Sequence, residues 1–233
     1  MNRRDFLSGV AKSVTGISLA QFTVTSASAS QFQVIRELPT SEEKRIAWTV
    51  DDGTSTEAVK RYIHLAADND LRLTFFIYSA MGSWLANKKE LQPLVDNGQI
   101  QLANHTAHHP ALATLSSSEI KRELTIAHNF IEKNFGVDAR PYYRPPYGSV
   151  NKKVIEAAAE IGYTKTIMWS GSFGDASNIR ASRILVHARE SFYDHSIVLT
   201  HANNLTSSTV FDKLVSIVQD KNLATITLKD AFD

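Results

Sequence analysis

Between residues 46 and 228 the chain alternates short, β-rich apolar runs with stretches of helical periodicity. The apolar runs cover residues 46–50, 73–78, 99–103, 142–143, 164–169, 196–199 and 223–228. The helical stretches cover 56–69, 88–97, 116–135, 151–161, 181–190 and 209–221. In the first of these, Ala58, Tyr62, Leu65 and Ala66 share one helical face. Ser116 and Glu119 form a capping-box pattern before the third, and Gly136 stops it. Strands separated by helices run parallel through right-handed crossovers. The expected fold is therefore α/β, a distorted (β/α) barrel of about seven parallel strands. In such a barrel the side chains at the C-terminal strand ends converge on one face, and that face carries the active site.

Composition narrows the chemistry. The 233 residues are 43% hydrophobic and 21% charged, which suits one globular domain. With 25 Lys+Arg against 24 Asp+Glu, the formal charge of +1 leaves no basic footprint for nucleic acid. There is no Cys, which excludes a disulfide framework, a Cys-ligated zinc site, an iron–sulfur cluster and a thiol nucleophile. Any metal must sit on His and carboxylates, and any nucleophile must be Ser, Thr, a carboxylate or water.

The first residues read as an address. Arg3-Arg4 followed by Phe6-Leu7 resembles a twin-arginine export signal, and Ala27-Ser28-Ala29 is an A-x-A cleavage pattern. The stretch between them is only mildly apolar and carries Lys12, short of the roughly 18 apolar residues of a membrane span. The expected organisation is a signal peptide over residues 1–29 and one domain over 30–233. Removing 1–29 takes away Arg3, Arg4, Lys12 and Asp5 and turns the formal charge to −1. The mature protein is expected in the periplasm or outside the cell, without stable membrane insertion.

Polar clusters follow the strand ends. In His105-Thr106-Ala107-His108-His109, residues 105 and 109 are four apart and would share one side of a helical turn, with His108 pointing elsewhere. With one carboxylate they would make a two-His, one-acid site with an open position for water. Asp51-Asp52-Gly53 offers two acids in different directions, one to bind a metal and one to accept a proton; the same triplet is also an ordinary turn. Arg144-Pro145-Pro146-Tyr147-Gly148 is a stiff loop whose Arg can grip a carboxylate. His201 ends a strand as either a general acid or a core-edge imidazole. His64, His128, His187 and His195 are read as structural.

In this order, these elements resemble the polysaccharide deacetylase family, also called the NodB homology domain or carbohydrate esterase family four. The resemblance runs from about Ile46 to Leu228. The first family motif, T-F-D-D-G, stands as Thr49-Val50-Asp51-Asp52-Gly53. The second, H-[S/T]-x-x-H, is complete at His105, Thr106 and His109, and the third, R-x-P-[Y/F]-G, at Arg144, Pro146, Tyr147 and Gly148. The fifth, L-x-H, is complete at Leu199 and His201. The fourth, D-x-x-D-W, keeps only its second acid, Asp175; Ser172 and Ala176 replace the first Asp and the Trp that walls the substrate groove.

The resemblance implies that Asp52, His105 and His109 bind one divalent metal, usually zinc, with cobalt or nickel as alternatives. It implies that Asp51 is the general base, held by Arg144, and that His201, oriented by Asp175, protonates the leaving amine. The Tyr147 backbone N–H would help hold the oxyanion, and Leu199 would line the acetyl-methyl pocket. The expected activity is hydrolytic removal of N-acetyl groups from peptidoglycan, chitin oligomers or an exopolysaccharide. An acetylxylan-type esterase, a non-sugar amidase and a glycan-binding pseudoenzyme are the alternatives.

Overall fold

The computed structural model describes residues 33–233, so the signal segment expected at 1–29 lies outside the described residues. The elements in chain order are β1 (Gln33–Ile35), β2 (Arg45–Asp52), α1 (Thr56–Asn69), β3 (Leu73–Ile77), α2 (Ser83–Ala86), α3 (Lys88–Asp96), β4 (Ile100–Asn104), α4 (Ser117–Phe135), β5 (Tyr142–Tyr143), α5 (Lys152–Ala159), β6 (Lys165–Ile167), β7 (Gly171–Ser172), α6 (Ala181–Ser191), β8 (Ile197–His201), α7 (Phe211–Asp220), β9 (Ala224–Thr225) and α8 (Leu228–Phe232). Every ladder between these strands is parallel. The strand order is β1-β6-β5-β4-β3-β2-β8-β7, with β9 beside β2.

The sheet curls into a half-barrel with β1 at one end of the strand order and β7 at the other. Residues 165–172 give β6, which pairs with β1, and β7, which pairs with β8. Between them the Met168 N–H donates to the Ile35 carbonyl (2.7 Å) and the Ser170 N–H to the Ile197 carbonyl (3.0 Å). One segment therefore spans the seam and sets residues 168–176 across the mouth of the sheet.

Alternation along the strands makes two layers. Ile46, Trp48 and Val50 of β2, with Leu73, Phe75 and Ile77 of β3, pack into the large cluster shared with the helices. Ala47 and Phe76 face the other way, with Ile35, Ala103, Ile167 and Ile197, into the hollow of the sheet. Burial on both faces explains why the strands read as continuous apolar runs. On the hollow side β2 steps from Ala47 to Thr49 to Asp51, so the first acid rises from the inner face at the C-terminal strand end.

Helix ends follow local chemistry. Ser116 caps α4 in a full capping box with Glu119, and Gly136 ends it in the left-handed region. The sequence expectations differ from the structure in four elements. Among the described residues nine strands replace about seven, because β1 and the two-residue β7 carry no apolar run that marks them. The run at 223–228 is strand only at Ala224–Thr225; Thr227 then caps α8 through a capping box with Asp230. The expected helix at 209–221 begins as a 3₁₀ turn, Ser207–Val210, before α7.

Candidate active site

Asp51 and Asp52 would point to opposite faces of an unbroken strand. They do not, because Asp52 turns into the left-handed region (φ 71°) and Gly53 follows at φ 78°. Both acids therefore reach His105: its Nε2 lies 3.6 Å from Asp51 Oδ2 and 3.2 Å from Asp52 Oδ1. His109 Nε2 lies 3.0 Å from the same Asp52 oxygen. A side chain at position 53 is excluded, since a Cβ there would overlap the Trp84 ring.

The two His come from the loop after β4, and this corrects the expected helical turn. Residues 105–109 form no helix, and Thr106 (φ 72°) and His109 (φ 58°) are both left-handed. Asn104 Oδ1 accepts from the Thr106 N–H (2.8 Å), and Thr106 Oγ1 accepts from the His109 N–H (3.1 Å). This polar scaffold folds the loop back, so that the rings of His105 and His109 meet at 5.0 Å. Non-Gly residues in this region store strain of order 1–3 kcal/mol each, which the surrounding bonds must hold. His108 points away to Glu123, as expected.

Asp52, His105 and His109 form a cluster whose ligating atoms all lie within 4.8 Å of one another. His105 Nδ1 donates to the Arg144 carbonyl (2.7 Å), since a carbonyl only accepts, and this presents Nε2 to the acids. Asn203 Nδ2 donates to Asp52 Oδ2 (2.6 Å), while Asn203 Oδ1 accepts from the Thr54 hydroxyl (2.9 Å). Asp52 Oδ1 is buried between two imidazole nitrogens, yet neither is aligned to give it a hydrogen bond. An oxygen so placed, with two imidazoles, is a donor set that fits a divalent cation. Burial by itself raises the Asp52 pKa, but His105, His109 and Asn203 outweigh it and hold the carboxyl well below its usual range. Burial also works to lower the His105 pKa; the charges of Asp51 and Asp52 raise it more.

Arg144 fills the hollow of the sheet. Its Nη1 donates to Asp51 Oδ1 (2.6 Å) and Thr49 Oγ1 (2.8 Å), and its other nitrogens reach the Ile167 (3.2 Å) and Met168 (3.0 Å) carbonyls. The guanidinium carbon sits 4.1 Å from the Phe76 ring centroid. Burial lowers the Arg144 pKa, and Asp51 opposes that shift.

On the opposite wall, Asp175 Oδ1 accepts from His201 Nδ1 (2.9 Å) and Oδ2 accepts from the Ser207 hydroxyl (2.6 Å). Burial lowers the His201 pKa; Asp175 and then Asp51 outweigh it, and the net shift is upward. A cavity of about 520 Å³ joins these parts and is also lined by Tyr147, Trp169, Ala176 and Leu199. Tyr147 stands in the left-handed region, 75% exposed, with its ring 4.7 Å from that of His109.

The structure thus brings together Asp51, Asp52, His105, His109, Arg144, Tyr147, Asp175, Leu199 and His201. Sequence reasoning missed Thr49 as an Arg144 partner, and Asn203, Ser207 and Trp169. His64 pairs with Glu90 and His128 with Tyr163, while His195 accepts from the Ser41 N–H, all away from the cavity. His187 lies within 3.8 Å of Glu190 on its own helix. A second cavity, about 530 Å³, includes Arg72 and Arg140 in its wall, but Asp230 and Asp138 pair with them there.

Residues 39–166 match the polysaccharide deacetylase family, a span that holds Asp51, Asp52, His105, His109, Arg144 and Tyr147 and stops before Asp175 and His201. The chain is 28% identical over 167 residues to the peptidoglycan-N-acetylmuramic acid deacetylase PdaA of Bacillus subtilis (strain 168), covering 70% of this chain and 59% of that protein. It is 27% identical over 154 residues to a chitooligosaccharide deacetylase of Rhizobium leguminosarum bv. phaseoli, covering 66% of each. Among solved structures, a Bacillus anthracis protein described as a CE4 family pseudoenzyme superposes with a TM-score of 0.75 at 22% identity, over 86% of this chain and 71% of that one. That likeness speaks to the fold alone. The chain spans 58, 49 and 59% of the length of three curated relatives that it matches. With the family match extending over more than half of its length, the chain belongs to the polysaccharide deacetylase family.

Proposed function

We propose that this protein is a metal-dependent hydrolase that removes N-acetyl groups from an envelope or extracellular glycan. The observation that carries this reading is the division of labour between adjacent acids: Asp52 faces both imidazoles, whereas Asp51 is gripped by Arg144 just outside that cluster. A purely structural pair of acids has no need of that separation.

Asp52, His105 and His109 would hold one divalent ion, zinc in our reading, with cobalt or nickel as alternatives. When bound, such an ion polarises an acyl carbonyl and lowers the pKa of a water. Asp51 accepts the proton of the attacking water, and Arg144 fixes the direction of its oxygens. His201 Nε2 gives a proton to the departing nitrogen while Asp175 holds Nδ1. The Tyr147 N–H stabilises the developing oxyanion, and Leu199 receives the acetyl methyl. Atoms balance as water plus N-acetyl sugar giving acetate and a free amine.

The domain would occupy residues 30–233, exported through a twin-arginine signal at 1–29 to the periplasm or beyond. No helix among the described residues is long and apolar enough to cross a membrane. The relatives named for peptidoglycan and chitooligosaccharides support an N-acetylated glycan as partner. Acetate release from peptidoglycan, chitooligosaccharides, poly-N-acetylglucosamine and acetylxylan, with metal content measured on the same sample, tests the reading. Release from the N-acetylated members supports it. Release from acetylxylan alone makes the protein an esterase, and no release at full metal occupancy overturns the hydrolase.

A further inference from the structure

Ala176 leaves the groove without the aromatic wall expected at that position, yet the same cavity has an indole on it. Trp169 lines it together with Asp51, His201, Leu199 and Ala176. The chain has three tryptophans. Trp48 and Trp84 are fully buried, and their N–H groups donate to Thr200 Oγ1 (3.3 Å) and the Tyr78 carbonyl (3.2 Å). Trp169 is half-buried, and its N–H has no protein acceptor among the described residues.

The ring is held in register with the reacting groups. Gly148, at φ +63°, lies so close that a Cβ there would come within 3.2 Å of Trp169 Cη2 and 3.1 Å of Met168 Cε. The indole thus rests on the loop that carries Arg144 and Tyr147. The Arg144 guanidinium carbon is 5.9 Å from the ring centroid. Met168, next in the chain, is pinned across the seam by its N–H bond to Ile35. A broad apolar face with a free N–H at one edge suits a sugar ring, which offers C–H groups on its face and hydroxyls at its rim.

We propose that Trp169 is the saccharide-stacking platform of this groove, taking over the contact absent at Ala176. Resting on the hydrolase reading above, this assigns a specificity-determining residue for an N-acetylated sugar ring beside the reacting amide. The proposal predicts binding shared by ground and transition states, so its loss falls on KM and spares kcat.

The test uses the metal-loaded protein and an N-acetylglucosamine tetramer. Only Trp169 is open to a ligand, so a change in intrinsic tryptophan fluorescence on titration reports on it. The expected results are quenching in the wild type and none in Trp169→Phe. KM should rise a few-fold in Trp169→Phe and about tenfold in Trp169→Ala, with kcat within about twofold. Trp169→Ala combined with Ala176→Trp should recover part of the KM. Acetate release with KM and fluorescence unaffected in both variants overturns the platform and leaves the hydrolase reading standing. Quenching without acetate release supports the platform and overturns the hydrolase, and absence of both overturns both.

Discussion

Arg144 Nη1 lies 2.6 Å from Asp51 Oδ1, with the guanidinium fully buried and the carboxylate nearly so. The guanidinium also donates to Thr49 and to two main-chain carbonyls, so it is anchored on four acceptors in the hollow of the sheet. Breaking the pair by removing one partner leaves a buried charge uncompensated. Arg144→Ala should destabilise the fold by about 3–5 kcal/mol. Arg144→Lys should keep a charge but lose the planar fork, and should lower kcat at least about tenfold. Urea unfolding and acetate release read the two effects separately.

The neighbouring acids should part company under substitution. Asp51→Asn keeps its size and can still accept from Arg144, but it cannot take up a proton from water. Metal content should stay near that of the wild type while turnover falls by at least about a hundredfold. Asp52→Asn removes the charged oxygen that faces both imidazoles and should weaken metal binding itself. Equal metal and equal activity in the two variants would contradict the division.

His105→Ala or His109→Ala should lose metal and activity together, because each withdraws one of the three proposed ligands. His108→Ala should do neither, since that ring bonds to Glu123 at the surface. Atomic absorption on purified variants checks this, and full occupancy in His105→Ala would remove the cluster from consideration. Asn203→Ala gives a finer test: freeing Asp52 Oδ2 from its 2.6 Å bond should weaken metal affinity several-fold without abolishing it.

What could be read from the chain beforehand follows from where its information lies. β2, β3, β4 and β8 were legible because a parallel strand buried on both faces is apolar throughout. β7 was not, because Gly171 and Ser172 carry no such pattern and pair only once residues 165–172 cross the seam. The run at 223–228 reads as one strand, but strand holds only at Ala224–Thr225, because Thr227 and Asp230, a visible capping pair, start a helix there. The motif acids and imidazoles were legible as residues, but not their aim. That depends on the left-handed backbone at Asp52, Thr106 and His109. Asn203 was out of reach because its partner Asp52 lies 151 positions away in sequence.

Gly53→Ala should be severely destabilising for two reasons that act together. The residue sits at φ +78°, and an added Cβ would overlap the Trp84 indole, itself buried and tilted against Phe75. Strain and overpacking each cost about 1–3 kcal/mol. The variant should melt well below the wild type, and the shift at Asp52 should reduce metal content in whatever folds. A melting temperature within about a degree of the wild type would show that the turn is more yielding than its geometry indicates.

In the proposed mechanism His201 and Asp175 set the pH dependence. His201 must carry its proton to donate it, so activity should fall as pH rises through the His201 pKa. Asp175, with its Oδ1 2.9 Å from Nδ1, is the largest influence raising that pKa against burial. In Asp175→Asn the amide oxygen can still accept from Nδ1, so the ring stays oriented while the charge is gone. The alkaline limb of kcat should therefore move to lower pH, with KM little changed. Linkage gives an independent check. A histidine whose folded pKa lies above its unfolded value of about 6.5 contributes stability that is complete below that pH and is lost as pH rises through the folded pKa. Asp175→Asn should consequently cost most stability at pH about 6 or just below, and the gap from the wild type should narrow as pH rises past the folded pKa. The Ser207 hydroxyl, 2.6 Å from the other Asp175 oxygen, does not change with pH in this range and loses its charged acceptor at every pH, so a constant offset is expected beneath the pH-dependent part. An alkaline limb unmoved in Asp175→Asn, with a stability difference flat from acid to alkaline pH, would mean that the ion pair does not govern the acid and that His201 is held for its shape alone.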